Sequence, residues 1–477
     1  MKHEANSMPI YIYNSLSRKK EEFIPLKPPQ VNIYTCGVTV YDESHIGHAR
    51  SLYIFDVIRR YLKYRGFNVK FVRNITDIDD KIINRANELK VDWQQLVKKY
   101  IERYYKDLED LGIQRGDYEP RATENIPDMI KCIEGLINKG FAYVTESGVY
   151  FNVRKFKDYG QLSGQGIDQM QSGCRIESDE TKQDPLDFAL WKKSKPDEPS
   201  WESPWGAGRP GWHIECSVMS QKFLKTETLD IHAGGRDLIF PHHENEIAQA
   251  EALTGKTFAK YWIHHGLLTI NSQKMSKSLG NFVTIKDFID KYKNADLLKL
   301  FFLSAHYSHP IDFTEEKIEE AKKAYERFVV LFQKIDRKFG SRDIAELPTG
   351  SAGNIKLFKE AFDKAMDDDF NTPQALGVLF NMVNECNRII DNDQDDRRFM
   401  LQEAMKTILE LGNIFGLSFE DISEEKSDMW ITIAIAQREQ VRKEKKFKEA
   451  DEYRKMLEEK GIILEDTKDG TTWRRKL

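Results

Sequence analysis

The first 90 residues contain a strand, a glycine-bearing loop, an amphipathic helix and a second strand, in that order. Residues 31–35 are rich in β-forming side chains and lead into Cys36-Gly37. Residues 48–62 repeat apolar side chains at helical spacing, and residues 69–75 alternate as a strand does. Two strands joined through a helix lie parallel in one sheet. The unit therefore predicts an α/β fold built on a parallel sheet.

This α/β pattern stops near residue 122 and resumes near residue 206. The intervening residues combine short hydrophobic runs, a polar stretch and tryptophans among prolines, which predicts an insertion between two halves of the sheet domain. The pattern then continues with residues 211–216, which we predict to end a strand at Cys216, a strand at 228–232, and a helix that opens at Pro241.

The last third of the chain changes to a helical pattern. Residues 326–425 place Phe328, Leu331, Phe332 and Ile335 on one apolar face. The tail reads as one charged helix at about 431–460, a short strand at 461–464 and a turn at Asp469-Gly470.

Composition excludes several classes of protein. A chain of 477 residues predicts about three or four domains. It has no uninterrupted apolar run of the roughly 18 residues that a membrane helix needs, and its N-terminus lacks the apolar segment of a secretory signal. Five widely spaced cysteines argue against a disulfide framework and favour a reducing cytoplasm. Net charge is -5, but residues 430–477 hold 13 basic and 10 acidic side chains, so this end permits an anionic partner.

The motif His45-Ile-Gly-His48 stands immediately before the first helix. Two imidazoles three residues apart lie on one face of a first helical turn, where the N–H groups and the helix dipole favour bound phosphate. Gly47 would let a nucleotide approach the backbone closely. Four letters recur by chance, so this interpretation depends on the position of the motif at a strand-to-helix turn.

A second motif, Lys274-Met-Ser-Lys-Ser278, follows about 230 residues later. Two lysines and two serines in a short loop can neutralise and hydrogen-bond a polyphosphate. An exposed basic loop without a ligand would show the same letters. Together, however, the two motifs resemble the paired signatures of class I aminoacyl-tRNA synthetases.

A third pattern has the spacing of metal ligands. In the predicted helix that opens at Pro241, His242 and Glu246 are four residues apart and share one face. Cys36 and Cys216 are each predicted to end a strand at the same sheet edge, so one imidazole, one carboxylate and two thiolates would form a four-coordinate zinc site. From spacing alone, Cys216 could equally be a small buried hydrophobe. The pair His243 and Asn245 is a weaker alternative, because asparagine is a poor zinc ligand.

These blocks are similar, over essentially the whole chain, to the cysteinyl-tRNA synthetase family. The similar segments are residues 34–42, 45–50, 74–81, 211–217, 230–232, 240–249, 274–278, 461–466 and 470–475. The resemblance implies a Rossmann-type parallel-sheet catalytic domain with an insertion, followed by an α-helical bundle and a small mixed α/β C-terminal domain. The implied divisions are the two halves of the catalytic domain at 1–122 and 206–262, the insertion at 123–205, the Lys274–Ser278 loop and stem-contact region at 263–325, the bundle at 326–425 and the anticodon-binding domain at 426–477.

The same resemblance implies roles for individual residues. It assigns zinc to Cys36, Cys216, His242 and Glu246. It assigns cysteine to a second group of residues: Gly37, Thr76, Trp212, His213, His232 and Asp237. It assigns catalysis to His45, His48, Lys274 and Lys277. It assigns ATP binding to His45, Gly47, His48, Lys274, Ser276 and Lys277.

The activity implied is the ATP-dependent conversion of L-cysteine to cysteinyl-adenylate, followed by transfer to the 3′ end of tRNA(Cys). Zinc would hold the cysteine thiolate and reject serine, and Mg²⁺ would accompany ATP. The partners would be tRNA(Cys), ATP and L-cysteine, with no membrane, and we expect a cytoplasmic monomer.

The tail offers residues suited to single-stranded anticodon bases. Arg442, Phe447 and Trp473 present stacking surfaces, and Asp451 and Asp466 present acceptors for base N–H groups. Trp473 could instead close the core of a small domain, and Asp466 could be a turn residue. Resemblance to the family favours base contacts for both aspartates.

Three other functions share parts of this pattern. A ligase that joins cysteine to an amino-sugar acceptor would use the same adenylate but would lack the tail. A nucleotidylyltransferase also uses a His-x-Gly-His motif but has no use for Cys216, His242 and Glu246. A non-catalytic zinc-dependent RNA-binding protein would have no reason to keep His45, His48, Lys274 and Lys277.

Overall fold

The computed structural model describes residues 8–167, 181–276, 280–339, 353–392, 398–419, 429–443, 446–467 and 470–475. At its centre, four parallel strands form a sheet in the order β10-β9-β3-β4. Their bounds are β3 Gln30–Thr39, β4 Asn68–Thr76, β9 Leu229–Gly235 and β10 Ala259–His265. The predicted α/β fold with a parallel sheet is thus confirmed.

Helices cover both faces of this sheet, and the two faces belong to different apolar clusters. Val31 and Ile33 of β3 pack with helices α1 and α3, whereas Tyr34 packs on the opposite side with α4, α5 and α6. This is the alternation expected of a strand buried on both faces. The helices are α1 Ile46–Tyr64, α2 Asp80–Leu89, α3 Trp93–Asp110, α4 Ile126–Asn138, α5 Trp212–Leu224 and α6 Glu244–Thr254.

The predictions for the segments at Cys216 and Pro241 were wrong in the type or the extent of the element. Cys216 does not end a strand: it lies on helix α5. The helix predicted to open at Pro241 begins at Glu244, after one wide turn at Ile239–His243 in which Phe240 has extended backbone angles. Both segments are buried on nearly all sides, so the apolar periodicity that separates a strand from a helix is absent there.

The predicted insertion, residues 123–205, contains helix α4 and three strands of an antiparallel sheet in the order β5-β6-β7-β8, whose fourth strand lies beyond the predicted end at residue 205. The strands of this sheet are Ala142–Val144, Gly148–Phe151, Phe188–Lys193 and Gly208–Pro210. Asp80 of α2 bonds to Lys192 and Arg209 of this sheet, which ties the sheet to helix α2. Strands β1 Tyr11–Asn14 and β2 Lys19–Glu22 form a hairpin near the N-terminus.

After the central sheet comes a small three-stranded sheet, β12-β11-β13, which carries the Lys274 loop. Its strands are β11 Leu268–Ile270, β12 Gln273–Lys274 and β13 Ile311–Phe313, and its helices are α7 Ile285–Tyr292 and α8 Ala295–Leu303. A helical bundle follows, and all four predicted apolar residues from Phe328 to Ile335 are buried in it. The bundle helices are α9 Glu315–Phe339, α10 Gly353–Asp367, α11 Thr372–Asp391 and α12 Arg398–Ile414.

The tail has its own small apolar core. In place of the single predicted helix it has two, α13 Met429–Lys443 and α14 Phe447–Glu459, followed by the hairpin strands β14 Ile462–Thr467 and β15 Gly470–Arg475. Asp469 of the predicted turn lies outside the described residues. No helix in the described part of the chain combines the length and apolar character needed to cross a membrane.

Candidate functional site

The carboxyl end of the parallel sheet gathers four predicted metal ligands. Cys36 comes from β3, Cys216 from α5, His242 from the turn before α6, and Glu246 from α6, and their ligand atoms all lie within 4.8 Å of one another. This edge is where ligand sites form in open parallel sheets. The structure thus assembles residues separated by as much as 210 positions.

Three of the distances within this group match those of a tetrahedral zinc site, whereas His242 Nε2 and Glu246 Oε1, at 3.0 Å, are within hydrogen-bonding distance. Two zinc–sulfur bonds of about 2.3 Å at the tetrahedral angle separate the sulfurs by about 3.8 Å, and a sulfur–nitrogen pair is separated by about 3.6 Å. The Sγ atoms of Cys36 and Cys216 are 3.8 Å apart, and Cys216 Sγ lies 3.6 Å from His242 Nε2. Cys36 Sγ lies 3.5 Å from Glu246 Oε1. The side chains therefore fit the ion that the donor set favours.

Neighbouring side chains hold these ligands in orientation. His213 Nδ1 lies 2.9 Å from His242 Nδ1, so His242 can donate there and keep Nε2 for a metal. The ring of Trp212 stacks on His242 at 3.9 Å. His232 Nε2 lies 2.7 Å from Glu246 Oε2, which leaves Oε1 of the carboxylate towards the two cysteines.

Charge inside the cluster follows from burial and contact. Burial, reinforced by Cys216, raises the pKa of Cys36 well above its ordinary value. Burial acts on Cys216 in the same direction, but hydrogen bonds with Cys36 and His242 hold its pKa at about 6. The Glu246 carboxylate overcomes the effect of burial on His242 and raises that pKa to about 10. Without a metal, His242 thus favours its protonated form beside the Cys216 sulfur and the Glu246 carboxylate, and a bound cation would displace that proton.

A second group of possible ligands overlaps the first. Cys36 and Glu246 also lie near His232 and His243, with His243 Nε2 3.3 Å from Cys36 Sγ. The 2.7 Å contact of His232 with Glu246 is a hydrogen bond, shorter than the spacing of two ligands on one zinc ion. His243 is in turn bonded through Nδ1 to His264. We therefore interpret His232 and His243 as side chains that hold Glu246 and Cys36 in position, and not as metal ligands themselves.

The rest of the predicted motif around His242 also has an explanation. Glu244 accepts hydrogen bonds from the backbone of Gly160 and Ser163, and Asn245 accepts one from Tyr159, so both residues fasten the insertion onto α6. This excludes Asn245 as a metal ligand, as its residue type suggested. Of the six residues predicted to bind cysteine, Trp212 and His213 line a cavity of about 280 Å³ next to the insertion. His232 is fully buried.

His45 and His48 form a hydrogen-bonded cap at the start of α1. His45 Nδ1 accepts from the backbone N–H groups of Gly47 and His48, and His48 Nδ1 accepts from the backbone of His45. Each ring therefore carries its proton on Nε2. Burial, with smaller effects of His45 and Lys81, lowers the pKa of His48 to about 3, so its ring is neutral. The two rings are stacked with their centroids 3.7 Å apart, and each presents a neutral Nε2–H group.

The Lys274 loop lies against this cap. The backbone of Ile46 bonds to Val283, the ring of Phe282 contacts that of His45, and a Cβ on Gly47 would lie 3.8 Å from Cε of Met275. Asn281 closes the loop by accepting from the backbone of Ser276 and donating to that of Lys274. Lys277 lies outside the described residues.

Asp237 and the tail residues are placed elsewhere. Asp237 is exposed just after β9. In the tail, Phe447, Arg442 and Asp451 are exposed, whereas Trp473 packs against the small core. Asp466 is held by the buried Arg438 through two bonds of 2.9 Å, with Thr471 at 2.8 Å and Arg442 at 3.3 Å.

The chain matches three family models. The model described as the tRNA synthetases class I (C) catalytic domain covers residues 22–323, the DALR domain covers 361–420, and the cysteinyl-tRNA ligase anticodon binding domain covers 434–474.

Curated relatives are similar over their full length. The cysteine–tRNA ligase of Thermodesulfovibrio yellowstonii is 51% identical, covering 98% of this chain and 99% of the relative. That of Aquifex aeolicus is 49% identical with the same coverage. Among solved structures, methionyl-tRNA synthetase of Mycobacterium tuberculosis with methionyl-adenylate has a TM-score of 0.62 at 14% identity, covering 81% of this chain and 90% of that one. At 14% identity, the similarity to methionyl-tRNA synthetase is a similarity of fold alone.

Proposed function

The chain belongs to the cysteine–tRNA ligase family of class I aminoacyl-tRNA synthetases, and on this premise we propose that it converts L-cysteine and ATP to cysteinyl-adenylate and transfers the cysteine to tRNA(Cys). The observation that carries the proposal is the convergence of Cys36, Cys216, His242 and Glu246 at the carboxyl end of the sheet. The domain divisions and site residues inferred from the sequence are part of this proposal, except for Asp466, whose carboxylate is engaged by Arg438.

Selection of cysteine is assigned to the metal group. Serine has nearly the shape of cysteine, so packing alone discriminates poorly between the two. Zinc, when bound, supplies a soft Lewis acid that prefers a thiolate to a neutral hydroxyl. The protein's part is to hold that site open beside Trp212 and His213, which line the adjoining cavity.

Adenylate formation needs no nucleophile from the protein. A carboxylate oxygen of cysteine attacks the α-phosphorus of ATP, and the bond to the β-phosphate oxygen breaks to release pyrophosphate with Mg²⁺. The Nε2–H groups of His45 and His48, on the far side of each ring from the Nδ1 contacts, would donate to the phosphate oxygens as charge develops. Lys274, with Lys277, would neutralise the pyrophosphate. The 3′-terminal ribose hydroxyl then attacks the cysteinyl carbonyl and displaces AMP.

We expect the purified protein to catalyse cysteine-dependent ATP–pyrophosphate exchange and to charge tRNA(Cys). Exchange with serine should be slower by about 10⁴–10⁵-fold, the range for sites that bind a group the analogue lacks. Both reactions can be followed with radiolabelled pyrophosphate and amino acid. Cysteine transfer to glucosamine-type acceptors but not to tRNA would instead favour the amino-sugar ligase, against which the tail argues.

A separate expectation concerns Asp466 in the tail. Its carboxylate is engaged by Arg438 and Thr471, so Asp466→Ala should leave the buried Arg438 guanidinium with Thr471 but without its carboxylate partner and destabilise the small domain by about 1–3 kcal/mol. Charging of cognate and anticodon-swapped tRNA should then fall by equal factors, because the loss lies in the fold.

Charging kinetics with both tRNAs and thermal unfolding of the variant measure these effects. Asp451→Ala, on the exposed face of α14, is the matched control and should weaken the cognate tRNA selectively. A loss by Asp466→Ala that is confined to the cognate tRNA would restore the direct base contact that the sequence suggested.

A further inference from the structure

One buried amide joins three parts of the proposed cysteine pocket. Asn74 of β4 accepts a hydrogen bond from the backbone N–H of Gly37 at 2.8 Å and donates one to Thr76 Oγ1 at 3.2 Å. Its Oδ1 also lies 3.8 Å from Cys216 Sγ. The side chain is buried, so it contacts these groups from the interior of the protein.

The direction of each hydrogen bond follows from the one before it. A backbone N–H can only donate, so the oxygen of Asn74 must face Gly37 and its NH₂ group must face Thr76. The Thr76 oxygen then accepts, and its hydroxyl hydrogen points to Glu215 Oε2 at 2.8 Å. Glu215 is buried and precedes Cys216 on α5. The chain Gly37–Asn74–Thr76–Glu215 therefore has one consistent arrangement.

The local backbone is shaped for this contact. Strand β3 departs from regular pairing with β4 between Thr35 and Val38, and a Cβ on Gly37 would lie 1.6 Å from the backbone oxygen of Asn74. Only glycine permits this approach. Buried polar atoms that lose a partner are strongly disfavoured, so each member of the chain restrains the next.

We propose that Asn74 and Glu215 are positioning residues, which fix Gly37, Thr76 and the metal ligand Cys216 relative to one another. The inference rests on the proposed function, because cysteine binding by Gly37 and Thr76 belongs to that proposal. Neither positioning residue touches the substrate. Their effect is on the geometry of the thiol end of the pocket, and the ATP end, at His45 and His48, lies on a separate element.

The experiment uses the full chain with zinc, and in parallel with Co²⁺ in its place, because the absorption bands of cobalt report thiolate geometry. Asn74→Asp keeps the shape but replaces the donor that faces Thr76 with an oxygen. We expect the KM for cysteine to rise roughly 10-fold, the cobalt bands to shift, and the KM for ATP to stay unchanged. A Glu215→Met variant, which removes the acceptor of the Thr76 hydroxyl hydrogen at the far end of the chain, should act in the same direction.

Two further variants sharpen the test. Thr76→Val removes the hydroxyl and should shift the cobalt bands, whereas Thr76→Ser keeps it and should retain the wild-type spectrum. Asn125→Asp is the matched control, because Asn125 is as buried as Asn74 and bonds to Arg121 and Lys222 outside this chain of contacts.

Wild-type cobalt spectra and cysteine KM in Asn74→Asp and Glu215→Met would overturn the inference. So would equal losses for cysteine and ATP of the size seen in Asn125→Asp, because they would indicate general destabilisation. A wild-type protein that fails to activate cysteine would refute the proposed function, while the cobalt spectra would still decide the geometry.

Discussion

Replacing Cys216 by alanine is expected to abolish both zinc binding and cysteine binding. The purified wild-type protein should carry about one zinc per chain. Loss of a residue that merely supports a metal ligand lowers metal affinity by about 10–100-fold, so loss of a ligand should exceed about 100-fold. Cys216 is buried, with its Sγ 3.8 Å from that of Cys36 and 3.6 Å from His242 Nε2, and the described residues place no thiol besides Cys36 in this group.

Atomic emission gives the zinc content, and calorimetry gives the affinity for cysteine. Cys386→Ala is the control, because Cys386 is also buried but lies in the helical bundle. Its zinc content and cysteine affinity should match the wild type. Full cysteine affinity in a metal-free preparation of the wild type would contradict the proposed mechanism of selection.

Replacing His48 by asparagine should slow adenylate formation by roughly 10²–10³-fold, the usual effect of losing one donor to developing charge. The asparagine oxygen can take the place of Nδ1 and accept from the backbone of His45, so the cap of α1 is kept. What disappears is the Nε2–H at the far side of the ring. Cysteine affinity should change little, since the metal group is made by other elements.

The rate of cysteine-dependent ATP–pyrophosphate exchange measures this effect. His48→Gln is the informative companion, because its amide reaches the position of Nε2 and should recover part of the lost rate. An asparagine variant with a normal exchange rate but weakened cysteine binding would reverse the assignment of His48. Unfolding temperatures equal to that of the wild type in both variants would show that the helix cap is intact.

Local sequence patterns were sufficient for the parts of the fold that depend on neighbours along the chain. Helix α1 spans Ile46–Tyr64 where apolar spacing predicted a helix at 48–62, and β4 spans Asn68–Thr76 where alternation predicted a strand. Each element buries one definable set of side chains, and this is what periodicity detects. The pattern failed for residues 211–216, where burial on nearly every side of α5 removes the periodic signal.

The sequence by itself determined the parallel sheet through local periodicity and the family through its motifs, and resemblance to that family named the four possible metal ligands. Only the tertiary structure decided the partners of buried polar groups. It turned His232 towards Glu246, paired Asp466 with Arg438 and brought Glu215 to Thr76 across 139 positions. No pattern along the chain specifies such pairs, because a buried donor takes whichever acceptor the packing of distant elements places within about 3 Å.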